Sequence, residues 1–182
     1  MMNIAFRLLL TFNATSLLVI IFLVQKAYTL GHFFPGTNLL GQLPNAVSYL
    51  LYFLAPVSLT GLSILLSSQL GKDEFKKGEV VSIEHANNSF LPSYLGYFFV
   101  ALSIGGWEAL CFVYGVLFLF TFLSQALYFN PLFLIFGYEF YNIRTKNGTA
   151  IFLISRQKYK KPDDVKISAA RRINNYTFIE RG

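Results

Sequence analysis

Charge, cysteine and histidine are all scarce in this chain, and each shortage removes a class of function. Asp, Glu, Lys and Arg make up 13% of its 182 residues, where a water-soluble domain carries about 25% to cover its surface. Apolar residues amount to 54% and aromatics to 18%, so much apolar surface has to face something other than water. Bilayer hydrocarbon meets that requirement. The one cysteine, Cys111, excludes a disulfide within the chain, and with only His32 and His85 beside it no Cys/His metal cluster forms. Cys111 lies in an apolar run and reads as a small buried hydrophobe.

Catalysis needs a positioned nucleophile, an acid–base pair or a metal. The nine carboxylates lie nearly all in hydrophilic segments beside Lys or Arg, and no glycine-rich phosphate loop occurs. Asp163-Asp164 follows Pro162, which places the pair at a helix start rather than in a metal dyad. The chain therefore reads as a protein without catalytic activity, cofactor or metal. Coupled transport is disfavoured as well, because such proteins carry ionisable groups at membrane depth. Glu108 and Glu139 come nearest to that, and both fall near predicted interfaces.

The charge that is present is one-sided. Ten of the fifteen Lys and Arg fall in residues 142–182, against Asp163, Asp164 and Glu180. Long apolar runs fill most of what precedes them. The run from Leu8 to Val24 resembles the apolar part of a secretory signal, but Asn13-Ala14-Thr15-Ser16 interrupts it and no small-x-small site follows, so it is expected to stay as a helix. Residues 47–70 carry no charge and cover about 36 Å as a helix, more than the ~30 Å of hydrocarbon. Pro56 predicts a kink there, and Ser58, Gly61, Ser63, Ser67 and Ser68 offer small-residue faces for helix packing. From Phe90 to Tyr138 Glu108 is the sole charge, and Gly105-Gly106-Trp107-Glu108 supplies the break that so long a run requires. Four transmembrane helices follow, over about 6–30, 47–70, 90–107 and 109–137, with a cytoplasmic loop at 71–89. Arg7, then Lys72, Lys76 and Lys77, then the tail fall on one side and Lys26 on the other, so both termini are expected in the cytoplasm of a bacterial inner membrane.

The tail, 139–182, has strand signals of its own. Asn147-Gly148 between Phe140–Thr145 and Thr149–Ile154 is a hairpin signal. The second of these runs is apolar on both faces, so the loop strand at 79–84 and the terminal Tyr176-Thr177-Phe178-Ile179 are its candidate partners. Val165, Ala169 and Ile173 at i, i+4, i+8 suggest a short helix after Pro162. The predicted fold is thus an all-α polytopic membrane protein, a transmembrane bundle at 1–138 with a small β-rich cytoplasmic cap. Arg156, Lys158, Lys160, Lys161, Arg171 and Arg172 are the candidate contacts for a partner or for lipid. Anionic lipid attracts such side chains by about 1 kcal/mol each, so nucleic acid is not needed to explain them.

The segment Glu84-His85-Ala86-Asn87-Asn88-Ser89-Phe90-Leu91-Pro92-Ser93-Tyr94-Leu95-Gly96, which runs on to Leu102, resembles the KwaA family, the membrane subunits of the bacterial Kiwa anti-phage system. Phe140-Tyr141-Asn142-Ile143-Arg144-Thr145 and the end Tyr176-Thr177-Phe178-Ile179-Glu180 share the resemblance. It implies a homo-oligomeric inner-membrane sensor or scaffold, taken as a tetramer, that meets a cytoplasmic DNA-binding effector of the KwaB kind. The alternative from the residues alone is an oligomeric channel or small-solute pore.

Overall fold

In a computed structural model of the protein, which describes residues 2–36, 43–124 and 130–180, the first apolar run forms one helix, α1 (Met2–Gln25). It ends in a turn where Ala27 adopts φ 53° and the Tyr28 N–H returns to the Leu23 carbonyl at 2.9 Å. A left-handed residue of this kind closes many helices. The chain then makes the short α2 (Leu30–Phe33) and the long α3 (Asn45–Leu66), which tightens into a 3-10 turn at Ser67–Gln69. Pro56 lies inside α3. After two strands come α4 (Leu91–Ser103), α5 (Trp107–Ser124) and the single turn α6 (Leu132–Ile135).

Helix α1 is central and packs against α3, α4 and α5. At its start, Arg7 donates to the Phe122 carbonyl at the end of α5 (3.1 Å). At its other end, Gln25 donates to the Leu102 carbonyl of α4 (2.7 Å), and Tyr28 stacks between His32 and Trp107. Thr11, Thr15 and Ser16 on α1 are buried, and each returns its hydroxyl to a carbonyl of its own helix. This is how small polar side chains pass through an apolar bundle without leaving donors unmet.

The expected all-α fold of four spans is overturned in two respects. The architecture is mixed α/β, with a six-stranded sheet. Among the described residues, three helices are long and apolar enough to cross a membrane: Ile4–Gln25, Asn45–Gln69 and Trp107–Ser124. Helix α4 is not a fourth. A strand and a 3-10 turn at Asn87–Phe90 take up the chain before Leu91, and the glycine pair ends the helix after Ser103. Its 13 residues cover only about 20 Å. The helix expected to start at Pro162 and run through Ile173 is also corrected. Only a 3-10 turn forms at Pro162–Asp164, and the Val165/Ala169/Ile173 spacing loses to strand pairing at Ile167–Arg172. The last expected helix, 109–137, ends at Ser124 as far as the described residues go, and its stretch 125–129 lies outside them.

The sheet consists of β1 (Lys72–Phe75), β2 (Val80–His85), β3 (Glu139–Thr145), β4 (Ala150–Ser155), β5 (Ile167–Arg172) and β6 (Thr177–Glu180). The order across it is β1-β5-β6-β4-β3-β2, with every pair antiparallel except β4–β6. Asn147-Gly148 turns β3 into β4, with Gly148 at φ 79°. The two edge strands are consecutive in the chain. In a flat sheet they would stand about 24 Å apart, yet Phe75 and Val80 are five residues apart, a reach of at most about 18 Å. The Glu79 N–H closes a turn on the Lys76 carbonyl at 3.0 Å, which shortens that reach further. The sheet therefore curls into a roll. Phe75, Val80, Tyr141, Ile143, Leu153 and Phe178 cluster inside it with Val165 and Ile167.

The outer face of the roll caps the bundle. Phe140, Phe152, Ile154 and Ile179 share one buried core with Phe6 and Leu10 of α1 and Ile64 of α3, joined by Phe133 and Tyr138. Strand β4 is thus covered on both faces, by the roll's interior and by the helix ends. Asn130 makes a further connection: its Nδ2 donates to Thr60 Oγ1 of α3 (3.0 Å), and its Oδ1 accepts the Leu132 N–H (3.0 Å). Asn130 is 1% exposed. Replacing it by Leu leaves the Leu132 donor without its partner, and a buried unmet donor costs about 1–3 kcal/mol. Asn130→Leu is expected to lower the thermal unfolding midpoint of detergent-purified protein, and an unchanged midpoint counts against this joint.

Candidate functional site

Of the six basic candidates, two are tied to neighbouring elements of the fold. Arg171 on β5 donates to the Leu70 carbonyl just beyond α3 (3.0 Å). Arg172 pairs with Asp73 of β1 and stands over the Phe178 ring. Both hold the β1–β5 edge and the end of α3 together. The other four lie on the strap, residues 156–166, which leaves β4 and crosses the mouth of the roll to reach β5. The structure thus separates Arg171 and Arg172 from the remaining four, which spacing alone had grouped with them.

Along the strap each position has its own surroundings. Arg156 stacks on the Tyr138 ring (4.7 Å), at the level where the roll meets the helices. Lys158 is exposed and stands 3.9 Å from the Glu139 carboxylate. Lys160 and Lys161 are exposed. The backbone N–H of Lys161 donates to Asp164 Oδ2 (3.1 Å), so the Asp163-Asp164 pair closes a 3-10 turn. Among the described residues, no three His, Cys, Asp or Glu side chains come together as metal ligands do.

The strap is held by a polar network that sequence reasoning missed. Glu180, 7% exposed, accepts from Ser155 and from the Tyr159 hydroxyl (2.8 Å). Tyr159 packs edge-on against Tyr141. Tyr141 donates to Glu139 Oε2 (2.7 Å) and accepts the Tyr159 backbone N–H (3.2 Å). Glu139 also faces His85 Nε2 at 3.3 Å, while Ser155 Oγ receives the Gln157 N–H. These groups come from four strand ends and the strap, and no local spacing relates them. The signal available was that Tyr141 and Tyr159 stand among the basic residues of the tail.

The arrangement fixes a short basic segment on a rigid platform, with carboxylates placed to orient rather than cancel it. A buried carboxylate that accepts from two hydroxyls holds its donors firmly. Burial pushes the Tyr141 phenol up to about 12, reinforced by its bond to Glu139. Tyr159 is raised too, by burial first and then by Glu180.

These features define a class: an apolar helix bundle of membrane-spanning length that carries a rolled sheet and a basic strap at one pole. Within that class the chain matches the family model described as Anti-phage protein KwaA over residues 6–179, and it belongs to that family. Its place is in anti-phage defence. No curated protein and no solved structure matches it.

The tyrosines give the strap a definite response to alkali. A phenol whose folded pKa lies above its unfolded value of 10.0 adds stability that is complete below that value. That stability falls as pH rises through 10 toward about 12. Tyr141→Phe is expected to shift the loss of cap structure, followed by near-ultraviolet circular dichroism, to higher pH. An unshifted alkaline transition removes Tyr141 from this role.

Proposed function

We propose that this protein is a non-catalytic sensor or scaffold of the inner membrane that passes the state of its helix bundle to a cytoplasmic effector of the KwaB kind through the cap. One observation carries the reading: the helix ends and the roll share a single apolar core. A displacement of α1 or α3 therefore has to move the sheet, and the strap lies on that sheet. Interiors packed at crystal-like density transmit such shifts rather than absorb them.

The orientation rests on charge. Arg7 stands at the cap's pole with the loop lysines and the tail, while Lys26 stands at the other pole beside the Tyr28 turn. Positive residues favour the cytoplasmic side, so the cap faces the cytoplasm. Lys160 and Lys161 are then the exposed charges best placed to meet an acidic surface on a soluble partner, while Arg156, at the level of the helix ends, meets lipid headgroups. Self-association of the protein leaves this division unchanged and adds further straps around the assembly. The pore reading lacks comparable support. Ser63 is buried and donates to the Thr60 carbonyl, and Ser58 lies on the outward, apolar side of α3.

The doubly reversed variant Lys160→Glu/Lys161→Glu tests the proposal in cells that carry the complete defence system. It is expected to reach the membrane at the wild-type level, while phage protection and co-purification of the soluble effector both fall several-fold. Protection and co-purification that survive the reversal would show that the strap is not the docking element.

A further inference from the structure

Between α1, α3 and α5 runs a groove of about 400 Å³, within the range that holds a molecule-sized ligand. Phe12, Ser16, Val19, Ile20 and Leu23 form one wall, and Tyr52, Ala55, Pro56 and Leu59 the other, with Tyr114 at the back. Its polar groups are already engaged. Tyr52 donates to the Tyr28 carbonyl (3.1 Å), the Tyr114 hydroxyl donates to Thr15 Oγ1 (3.3 Å), and Ser16 donates to the Asn13 carbonyl (2.8 Å). With those hydroxyls directed into the protein, the groove presents hydrocarbon to whatever enters it. A polar solute would lose its hydration there without replacement bonds.

The groove is also continuous with the surface that lipid covers. Leu8 precedes Phe12 by four residues on α1, and Leu51 and Leu62 extend the Ala55–Leu59 stripe at either end on α3. Phe12, Leu8, Leu51 and Leu62 are each 40–45% exposed. Residues at these spacings share one helix face, so the walls merge without a break into the exposed apolar belt. Along α1 the groove extends for about 16 Å. A helix of a second copy, about 10 Å across over that length, needs roughly three times the available volume. A single extended hydrocarbon chain is the occupant that fits both the volume and the chemistry.

We propose that this groove binds one acyl chain of a bilayer lipid, an occupant distinct from the lipid that merely surrounds the bundle. The proposal rests on the membrane reading of the three long helices and gives the sensor a way to read the bilayer. The α3 wall contains Pro56, which removes one backbone donor at the level of the groove. Beyond it, α3 is tied to the cap at Thr60 by Asn130, at Gly61, where an added Cβ would stand 3.2 Å from the Phe136 ring, and at Leu70 by Arg171. Presence or withdrawal of the chain therefore sets how α3 leans on α1, and α3 carries that setting to the sheet.

The test uses full-length protein in vesicles of phosphatidylethanolamine and phosphatidylglycerol that contain a trace of lipid with a diazirine on one acyl chain. After irradiation, labelled residues are mapped by mass spectrometry. Labelling is expected to concentrate on Val19, Ile20, Ala55 and Leu59, several-fold above Phe120 and Leu123 of α5. Ala55→Trp, and Val19→Trp from the opposite wall, are each expected to lower the groove labelling several-fold and leave that on α5 unchanged. The α5 signal shows that each variant has inserted, and the wild-type distribution is read without any variant. Even labelling of groove and α5 overturns the proposal, as does groove labelling that persists in both variants. A disulfide between two copies of the Phe12→Cys variant, formed on oxidation in the same vesicles, overturns it in favour of a second chain. A protein that fails to enter the vesicles overturns the membrane reading and the proposal with it.

Discussion

The contact between the outer face of the roll and the ends of the helices is the joint on which the rest of the molecule depends. Phe140, Phe152, Ile154 and Ile179 of the roll are buried in one core with Phe6, Leu10 and Ile64 of the helices, and Phe133 and Tyr138 join them. Burial of a large apolar side chain is worth about 1.5–3 kcal/mol, so this contact stabilises both halves. The sheet is also marginal by its own connectivity, because β4 and β6 lie parallel and the chain must cross the mouth of the roll to pair them.

That crossing explains where the basic strap comes from. A right-sized connection from β4 through β5 to β6 has to span the open end of the roll, and its inner side has to be apolar. Tyr159 and Val165 supply that side, packed with the roll's interior. The outer side is free to carry charge, and Lys158, Lys160, Lys161 and Lys166 occupy it. Glu180 and Glu139, placed beneath, hold the tyrosines and so the strap. The strap is a consequence of topology, and its outer side carries the charge.

Some of this was legible in the residues and some was not. Asn147-Gly148 announces its turn because the positive φ that the turn needs, 79° at Gly148, is a local property of one residue. The Gly105-Gly106 break is local in the same sense. The apolar runs announce the bundle, but they overstate α4, since hydropathy cannot say that Asn87–Phe90 will be drawn into a 3-10 turn by the Phe140 N–H on Asn87 Oδ1. The stripe Val165/Ala169/Ile173 has helical spacing and still forms a strand, because Ala170, Arg171 and Arg172 find ladder partners on β6. Strand β1, Lys-Asp-Glu-Phe, has no β propensity to speak of and exists through its pairing with β5. Arg171 and Arg172 look like Lys160 and Lys161 in composition and differ entirely in what they touch.

Membrane character and one-sided charge are sums over neighbouring residues, so the sequence by itself determined them: scarce charge, long apolar runs and a basic tail permit few other environments. The mixed α/β architecture was decided only by the tertiary structure. So were the curling of the sheet and the division of the basic residues between the β1–β5 edge and the strap. Each of these depends on groups about 100 residues apart, Arg172 on Asp73 and Arg171 on Leu70, meeting at hydrogen-bond distance. Such meetings follow from closing the whole chain around one core, and no window of sequence contains them.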